Sequence, residues 1–264
     1  MNKINVALIG AQGFVGSALK TQLSNEKNLV LSCITRKNYD EHIGNDYDLV
    51  IDAACNSKKY LADNDPVHEA SSSIIHKLKT LTEINSKFHI HISSVDVYED
   101  LSIRNMTKED SIISSSSSNY GAHKLAAEQL VKHYAQKWLI FRLSGMVGAE
   151  IRKNPVYDII NDIPIYINEN SKYQFMSTKF VAKNILAIYK SKIKNQIYNF
   201  AGDGLISPTE IAKIFNKKLL VSDKSKTSEP RIVNIDCSKL SKIVTLEQTN
   251  DAISSFKDFI DNKD

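Results

Sequence analysis

Three residues of this chain, Ser94, Tyr120 and Lys124, are of types and spacing that could move a proton and a hydride at a carbonyl group. Tyr120 and Lys124 are four positions apart, so on a helix both side chains leave the same face. A phenol gives its proton to a carbonyl oxygen that is receiving hydride only if its pKa is drawn toward working pH, and an adjacent ammonium does this electrostatically. Lys124 is placed to supply that charge, and Ser94 to hold the substrate oxygen. Near the N-terminus, Gly10-Ala11-Gln12-Gly13-Phe14-Val15-Gly16 has the glycine spacing of a dinucleotide-binding turn. Its glycines permit a tight turn, let the backbone approach a pyrophosphate and bring helix against strand, while a helix N-terminus presents N–H groups to the anion. Taken singly, a Tyr/Lys pair is more often a surface pair and a serine after a strand more often a turn. It is their joint occurrence, in this order, that points to catalysis.

The elements that must position these residues are legible in the apolar pattern. Ile4–Ile9 is a short β-branched run ending at Gly10, and Phe14–Leu23 follows with helical spacing of Phe14, Val15, Ala18, Leu19 and Leu23. Leu29–Thr35, Leu49–Ala54, Phe88–Ser93 and Trp138–Leu143 are nearly continuous apolar runs, as expected of strands buried between two helical layers. Pro66–Leu81 and Asn119–Tyr134 carry helical periodicity between them. This alternation predicts an α/β fold, a Rossmann-type doubly wound parallel sheet, with Ser94 just past a central strand at the carboxyl edge where such sheets bind ligands.

Beyond Gly148 the alternation becomes irregular. Pro155–Ile160 and Thr178–Tyr189 read as helices, Pro164–Ile167 as strand-like, and Ser207-Pro208-Thr209-Glu210 as a helix start with a capping box. Ile197–Phe200 reads as a further strand of the main sheet. The expected organisation is a dinucleotide-binding domain over residues 1–148, carrying the catalytic residues, and a small substrate-binding region over 149–264, with 197–202 returning to the main sheet. Ser114–Ser118 is by composition a flexible loop.

The end of the second strand, Thr35-Arg36-Lys37, is where a dinucleotide fold meets the adenosine ribose. An acidic residue there suits a free 2′-hydroxyl and a basic one a 2′-phosphate. No carboxylate is present and Arg36 can make a forked contact, so NADP(H) is favoured, with NAD(H) left open. Only about a dozen residues separate Thr35 from the Leu49 strand, too few for a helix plus a strand. The third strand and helix of the usual fold are therefore expected to be missing or reduced to Tyr39–Gly44.

Composition narrows the classes further. The 34 basic and 30 acidic residues are interspersed, with a net charge of +4, so nucleic acid is not implied as a partner. Cys33, Cys55 and Cys237 fit neither a disulfide framework nor a zinc site, and with no signal-peptide pattern or membrane-length apolar run the expectation is a cytoplasmic protein without a membrane partner. His89 and His91 alternate toward one face of a strand, but without a third ligand they read as packing residues, so no metal is expected. His123, between Tyr120 and Lys124, is either a residue lining the site or, as the better reading, a solvated side chain.

The order and spacing of these pieces resemble the extended short-chain dehydrogenase/reductase family, the NAD(P)-dependent sugar-nucleotide epimerases, dehydratases and reductases. The matching segments are the Gly10-Gly13-Gly16 turn, Asp48–Ala54, Ile92-Ser93-Ser94-Val95-Asp96-Val97-Tyr98, Tyr120-Gly121-Ala122-His123-Lys124, Arg142–Gly148 and Ile197–Gly202. The resemblance selects Ser94 over Ser93, because the family's serine lies four residues before the tyrosine of the strand-end motif. It implies cofactor contacts from Gly10, Gln12, Gly13, Phe14, Val15, Gly16, Thr35, Arg36, Lys37, Ala53, Ala54, Tyr120 and Lys124. A nucleoside-diphosphate sugar would be held by Ser94 and Tyr120, with basic residues such as Arg152, Lys153 and Arg231 on its diphosphate.

The reaction implied is NADPH-dependent reduction of a 4-keto-6-deoxy sugar nucleotide, a step of nucleotide-sugar biosynthesis for surface polysaccharide. The alternatives are an NAD-dependent epimerase and, from another class, a non-catalytic NADP-binding sensor. Dehydratases of the family add an acidic pair beside the serine, where Val95-Asp96 offers one carboxylate. A homodimer through the Pro66–Leu81 and Asn119–Tyr134 helices is also in keeping with the resemblance.

Overall fold

The computed structural model describes residues 3–56, 59–116 and 118–262; Met1, Asn2 and Ser117 of the serine run lie outside the described residues. The chain opens with β1 (Ile4–Ile9), α1 (Phe14–Ser24) and β2 (Leu29–Ile34), followed by a single 3₁₀ turn at Tyr39–His42, β3 (Asp46–Tyr47) and β4 (Leu49–Asp52). Next come α2 (Lys59–Asn64) and α3 (Pro66–Ala70), which runs through a π-helical turn at Ser71–Ile75 into α4 (His76–Glu83). After β5 (Asn85–Ser86) and β6 (His89–Ser94) follow α5 (Asn119–Tyr134), β7 (Trp138–Leu143), β8 (Gly145–Val147) and α6 (Pro155–Ile160). The last elements are β9 (Phe175–Ser177), α7 (Thr178–Lys190), β10 (Gln196–Phe200), α8 (Pro208–Ile214), α9 (Asp223–Thr227) and α10 (Thr249–Asp261).

Six strands form the main sheet in the order β10-β7-β6-β4-β1-β2. The pairs β1·β2, β1·β4, β4·β6 and β6·β7 are all parallel. Strand order reverses between β1 and β4, so the crevice at their carboxyl ends is the switch point of a doubly wound sheet. Every residue of β4 and of β6 is buried, which is why both read as unbroken apolar runs despite the Asp52, His89 and His91 they contain. As expected from the short spacing, the third strand is reduced. Tyr39–His42 is one 3₁₀ turn, and β3 pairs with β5 in a separate two-stranded sheet rather than extending the main one.

The chain divides into two compact units, one comprising residues 1–99, 109–143 and 182–198, the other 100–108, 144–181 and 199–264. Both units are discontinuous in sequence, the segment over 182–198 belonging with the first. The second unit has its own core of Val147, Val156, Ile159, Phe175, Ile211 and Phe256. The capping box at Ser207 and Glu210 forms as the sequence implies. Pro164–Ile167 is not a strand. Ile165 makes one isolated bridge to Val221 and is apolar because it fills the second core. Among the described residues no helix is long and apolar enough to cross a membrane.

Candidate active site

The cofactor end of the site is built from backbone. Gly10 has φ +80°, the left-handed region that favours glycine, and a Cβ there would lie 2.8 Å from the Ala54 nitrogen. The ends of β1 and β4 thus touch main chain to main chain. A Cβ on Gly16, in the first turn of α1, would collide with the Gly10 carbonyl oxygen. Gly13 is the N-cap of α1, with no side chain capping the helix and no acidic residue in its first turn. Gln12 and Gly13 are exposed and Phe14 and Val15 half-buried around that helix end. Uncapped N–H groups at the positive end of a helix, behind a cradle that a Cβ would fill, fit the pyrophosphate of a dinucleotide.

Behind Ala53 and Ala54 lies a buried ion pair. The Ala54 N–H donates to Asp52 Oδ1 at 3.0 Å, which turns the chain and stops β4 at Asp52 rather than at Ala54. Asp52 Oδ2 accepts from Lys77 Nζ and from Thr80 Oγ1 (2.9 Å). Burial alone would raise the Asp52 pKa, but the Lys77 ammonium and the imidazoles of His76 and His89 hold it down to about 2. The sequence carried a signal for this pair: a carboxylate inside an apolar strand run and a lysine beside the apolar stripe of a helix each require a partner.

The catalytic end is built from side chains. Ser118 caps α5, its Oγ accepting from the Gly121 N–H at 3.1 Å, and α5 then buries Tyr120, Lys124 and Glu128 on successive turns. Lys124 Nζ sits 5.4 Å from the centroid of the Tyr120 ring, over its face. The Ser94 hydroxyl acts on the Tyr120 phenol to lower its pKa. Ser93 is committed elsewhere: its Oγ donates to Glu128 Oε1 at 2.6 Å. Glu128 also accepts a two-pronged contact from Arg142 (3.0 and 2.7 Å), whose Nη1 donates to the Tyr98 hydroxyl at 2.9 Å.

The electrostatics of Tyr120 differ from the sequence expectation. Burial pushes its hydroxyl well above the ordinary phenol range, Cys55, Asp96 and Glu69 push it further, and the Ser94 hydroxyl opposes them. Lys124 over the ring does not outweigh burial and two carboxylates, so among the protein's own groups the phenol stays protonated.

Two contacts around this set were not anticipated. Ser94 Oγ donates to Asp96 Oδ2 at 2.9 Å, and the same oxygen pairs with Lys59 Nζ at 2.5 Å. Glu69, fully buried on α3, is bonded by Ser73 Oγ and by His123 Nδ1, so His123 is not a solvated histidine but the partner of a buried carboxylate. The π-helical turn at Ser71–Ile75 carries Ser73 to that carboxylate. Within the expected flexible loop, Ser116 Oγ donates to the Asp96 carbonyl at 3.0 Å and Ser118 caps α5, so both have structural duties.

Thr35 is half-buried and Arg36 and Lys37 exposed at the carboxyl end of β2, where Asn38 Oδ1 fixes the turn by accepting from the Thr35 N–H (2.7 Å) and hydroxyl (2.8 Å). In the second unit, Arg152 is exposed and paired with Glu150 at 3.2 Å. Arg231 is half-buried there, its N–H donating to Ser171 Oγ at 3.0 Å. His89 and His91 are packed inside the sheet; burial lowers His89 to about 3 and His91 well below the usual imidazole range. Among the described residues no three His, Cys, Asp or Glu side chains cluster as metal ligands would.

A glycine cradle at the switch point and a buried serine, tyrosine and lysine on the neighbouring strand and helix are parts that a dinucleotide-dependent oxidoreductase would use. Residues 6–201 match the model of the NAD dependent epimerase/dehydratase family, and the chain belongs to that family, an NAD(P)-dependent enzyme of the short-chain dehydrogenase type. No curated relative matches it in sequence.

Solved structures similar to it include a UDP-glucuronic acid 4-epimerase from Bacillus cereus in complex with UDP-glucuronic acid and NAD (20% identity, 99% of this chain and 100% of that one, TM-score 0.78). A dTDP-4-dehydrorhamnose reductase from Clostridium acetobutylicum is similar at 17% identity, over 98% and 100% of the two chains, with a TM-score of 0.80. MoeE5 in complex with UDP-glucose and NAD is similar at 15% identity, over 98% and 99%, with a TM-score of 0.82.

Proposed function

We propose that the protein reduces the 4-keto group of a 6-deoxy nucleoside-diphosphate sugar with NADPH. The observation that carries this reading is the Tyr120 phenol, buried at the carboxyl edge with the buried Lys124 ammonium over its ring face. A reductase needs an acid at the moment hydride arrives, and a phenol with a neighbouring ammonium to balance the charge it is left with is such an acid. When bound, the nicotinamide supplies the hydride. The chain's own residues do the rest. The Gly10–Gly16 turn and the α1 N-terminus bind the pyrophosphate, with Ala53 and Ala54 as the wall behind it. Arg36 pairs with the 2′-phosphate, which selects NADPH.

Ser94 orients the keto oxygen, Tyr120 donates its proton to it, and the Lys124 ammonium balances the charge left on the tyrosine oxygen. Arg152, Lys153 and Arg231 are the candidate partners of the substrate diphosphate. A homodimer through α3, α4 and α5 belongs to this reading; Val67, Ile75 and Tyr134 expose apolar surface on those helices.

An NAD-dependent epimerase is the second reading, supported by the epimerase among the similar structures. The deciding experiment is a panel of 4-keto sugar nucleotides with NADPH oxidation followed by absorbance and product configuration by NMR. Stoichiometric oxidation supports the reductase. Interconversion of sugar-nucleotide epimers with no net change in cofactor supports the epimerase, and tight NADPH binding without turnover of any sugar supports a sensor.

A further inference from the structure

Two constraints fix the main chain where β4 ends. The first is Gly10, pressed so close that a Cβ there would lie 2.8 Å from the Ala54 nitrogen and 2.9 Å from the Ala53 carbonyl carbon. The second is Asp52. Ala53 still bonds to β1, its N–H donating to the Ile9 carbonyl at 3.0 Å, but the Ala54 N–H donates to Asp52 Oδ1, also at 3.0 Å. Asp52 is fully buried, and its other oxygen is held by Lys77 Nζ and by Thr80 Oγ1 at 2.9 Å. We propose that Asp52 and Lys77 are positioning residues for the dinucleotide: the buried pair holds the Ala53-Ala54 wall at the distance from the glycine turn that the cofactor requires.

The inference rests on Ala53 and Ala54 forming the wall of the dinucleotide site. A carboxylate bonded through one oxygen can swing about its last torsion, which is soft. Asp52 is bonded through both, to a main-chain N–H on one side and to an ammonium and a hydroxyl on the other, so it cannot turn without breaking a charge-assisted bond. Lys77 and Thr80 are three positions apart on α4, on one face of that helix. The wall thus takes its place from α4, an element that supplies no part of the glycine turn. Stability alone does not account for the pair, because apolar side chains of similar volume serve a buried site about as well.

The imidazoles near the pair do not share this task, since His76 Nε2 and His89 Nε2 are buried without a hydrogen-bond partner. Thr80 Oγ1 is also within reach of the Lys77 carbonyl oxygen, at 2.9 Å, so its hydroxyl keeps an acceptor when Asp52 is replaced. The pair acts on the wall and not on the 2′-phosphate, so its removal affects NADPH and NADH alike.

The test is equilibrium binding of NADPH and of NADH to the full-length protein, without a sugar, beside urea unfolding of the same variants. Asp52→Leu with Lys77→Met replaces the pair by apolar side chains of similar volume, so stability should stay near wild type while the Ala54 N–H loses its acceptor. Both cofactors should then bind about tenfold or more weakly, as for the loss of one hydrogen bond to a charged group. Asp52→Asn with Lys77→Met also removes both charges but leaves an amide oxygen for the Ala54 N–H, and should bind both cofactors close to wild type. Asp52→Asn alone leaves a buried ammonium that draws the amide oxygen away from Ala54, so it should bind weakly until Lys77→Met is added.

Equal affinity of the two double variants would overturn the proposal and leave Asp52 and Lys77 as a packing pair only. A loss confined to NADPH would overturn it as well. Should Asp52→Leu with Lys77→Met not fold, Asp52→Asn decides: wild-type affinity overturns the proposal, and weak binding restored by Lys77→Met supports it. Ala54→Val tests the wall itself. Wild-type affinity in that variant would overturn the wall reading and the proposal with it, whereas weak binding there, together with equal affinity of the two double variants, would leave the wall standing and remove only the pair.

Discussion

The two ends of the site are made of different material. Around Gly10, Gly13 and Gly16 the working surface is main chain, and its contacts leave no room for a Cβ against Ala54 or the Gly10 carbonyl. Around Ser94 and Tyr120 the working surface is side chains, and Lys124, Glu128 and Arg142 are buried with them, Glu128 and Arg142 as a two-pronged ion pair. The first end fails when volume is added at its glycines. The second fails when a charge is stranded, since a buried charge without its partner costs far more than a small change in shape. One site therefore has two modes of failure, and substitutions can be chosen to separate them.

The largest expected effect removes a single oxygen at the side-chain end. Tyr120→Phe should lower kcat by about 10²- to 10⁴-fold on a keto sugar nucleotide, with NADPH affinity close to wild type. Retention of more than about a tenth of wild-type kcat, with chemistry rate-limiting, would mean that the proton comes from another group.

Next comes the ion pair behind it. Glu128→Gln leaves Arg142 buried without its counter-charge and should cost about 3–5 kcal/mol in urea unfolding. Arg142→Met together with Glu128→Leu should recover most of that loss, because neither charge is then stranded. If the double variant is no more stable than Glu128→Gln, packing rather than charge governs this end and the contrast fails.

At the backbone end, Gly16→Ala adds one methyl group against the Gly10 carbonyl and should cost about 1–3 kcal/mol, seen as a lower Tm and weaker NADPH binding together. Arg36→Ala lies at the rim of the same end but acts through charge. It should weaken NADPH by about 1.5–3 kcal/mol and leave NADH nearly unchanged by calorimetry. Equal loss for both cofactors would remove Arg36 from the 2′-phosphate.

The most gradual effect, smallest for each pH unit, is spread along the middle of the sheet. His89, held to about 3, and His91 are buried neutral beside Lys77. The unfolded chain binds protons at these residues below about pH 6.5 and the folded chain does not, so stability is complete above that pH and falls as pH drops. The loss should be on the order of 1 kcal/mol per pH unit for each histidine. Asp52, held down to about 2, acts later: its contribution is present above the usual carboxylate range and is lost only as pH falls toward 2. Between pH 6.5 and 4 the decline in Tm should therefore come from the imidazoles, and His89→Leu should make it shallower.

Much of the scaffold could be read from local pattern. The strand at Ile4–Ile9, the helix at Asn119–Tyr134, the glycine turn and the capping box at Ser207 follow from periodicity, backbone freedom and end chemistry, all of which act over a few residues. The reduced third strand followed from chain length alone. Candidate catalytic residues were legible because one helical turn sets Tyr120 and Lys124 on the same face.

Tertiary structure decided which charges meet. Ser93 with Glu128, Asp96 with Lys59, Glu69 with His123, and Asp52 with Lys77 join residues from separate parts of the chain. No periodicity encodes such pairings. The sign of the shift at Tyr120 belongs with them, because it is a sum of burial and of carboxylates brought close only by the packing of α3, α5 and the end of β6. Local sequence fixes where a side chain leaves its own element, whereas desolvation and Coulomb interaction depend on distances through space that exist only once the chain has folded.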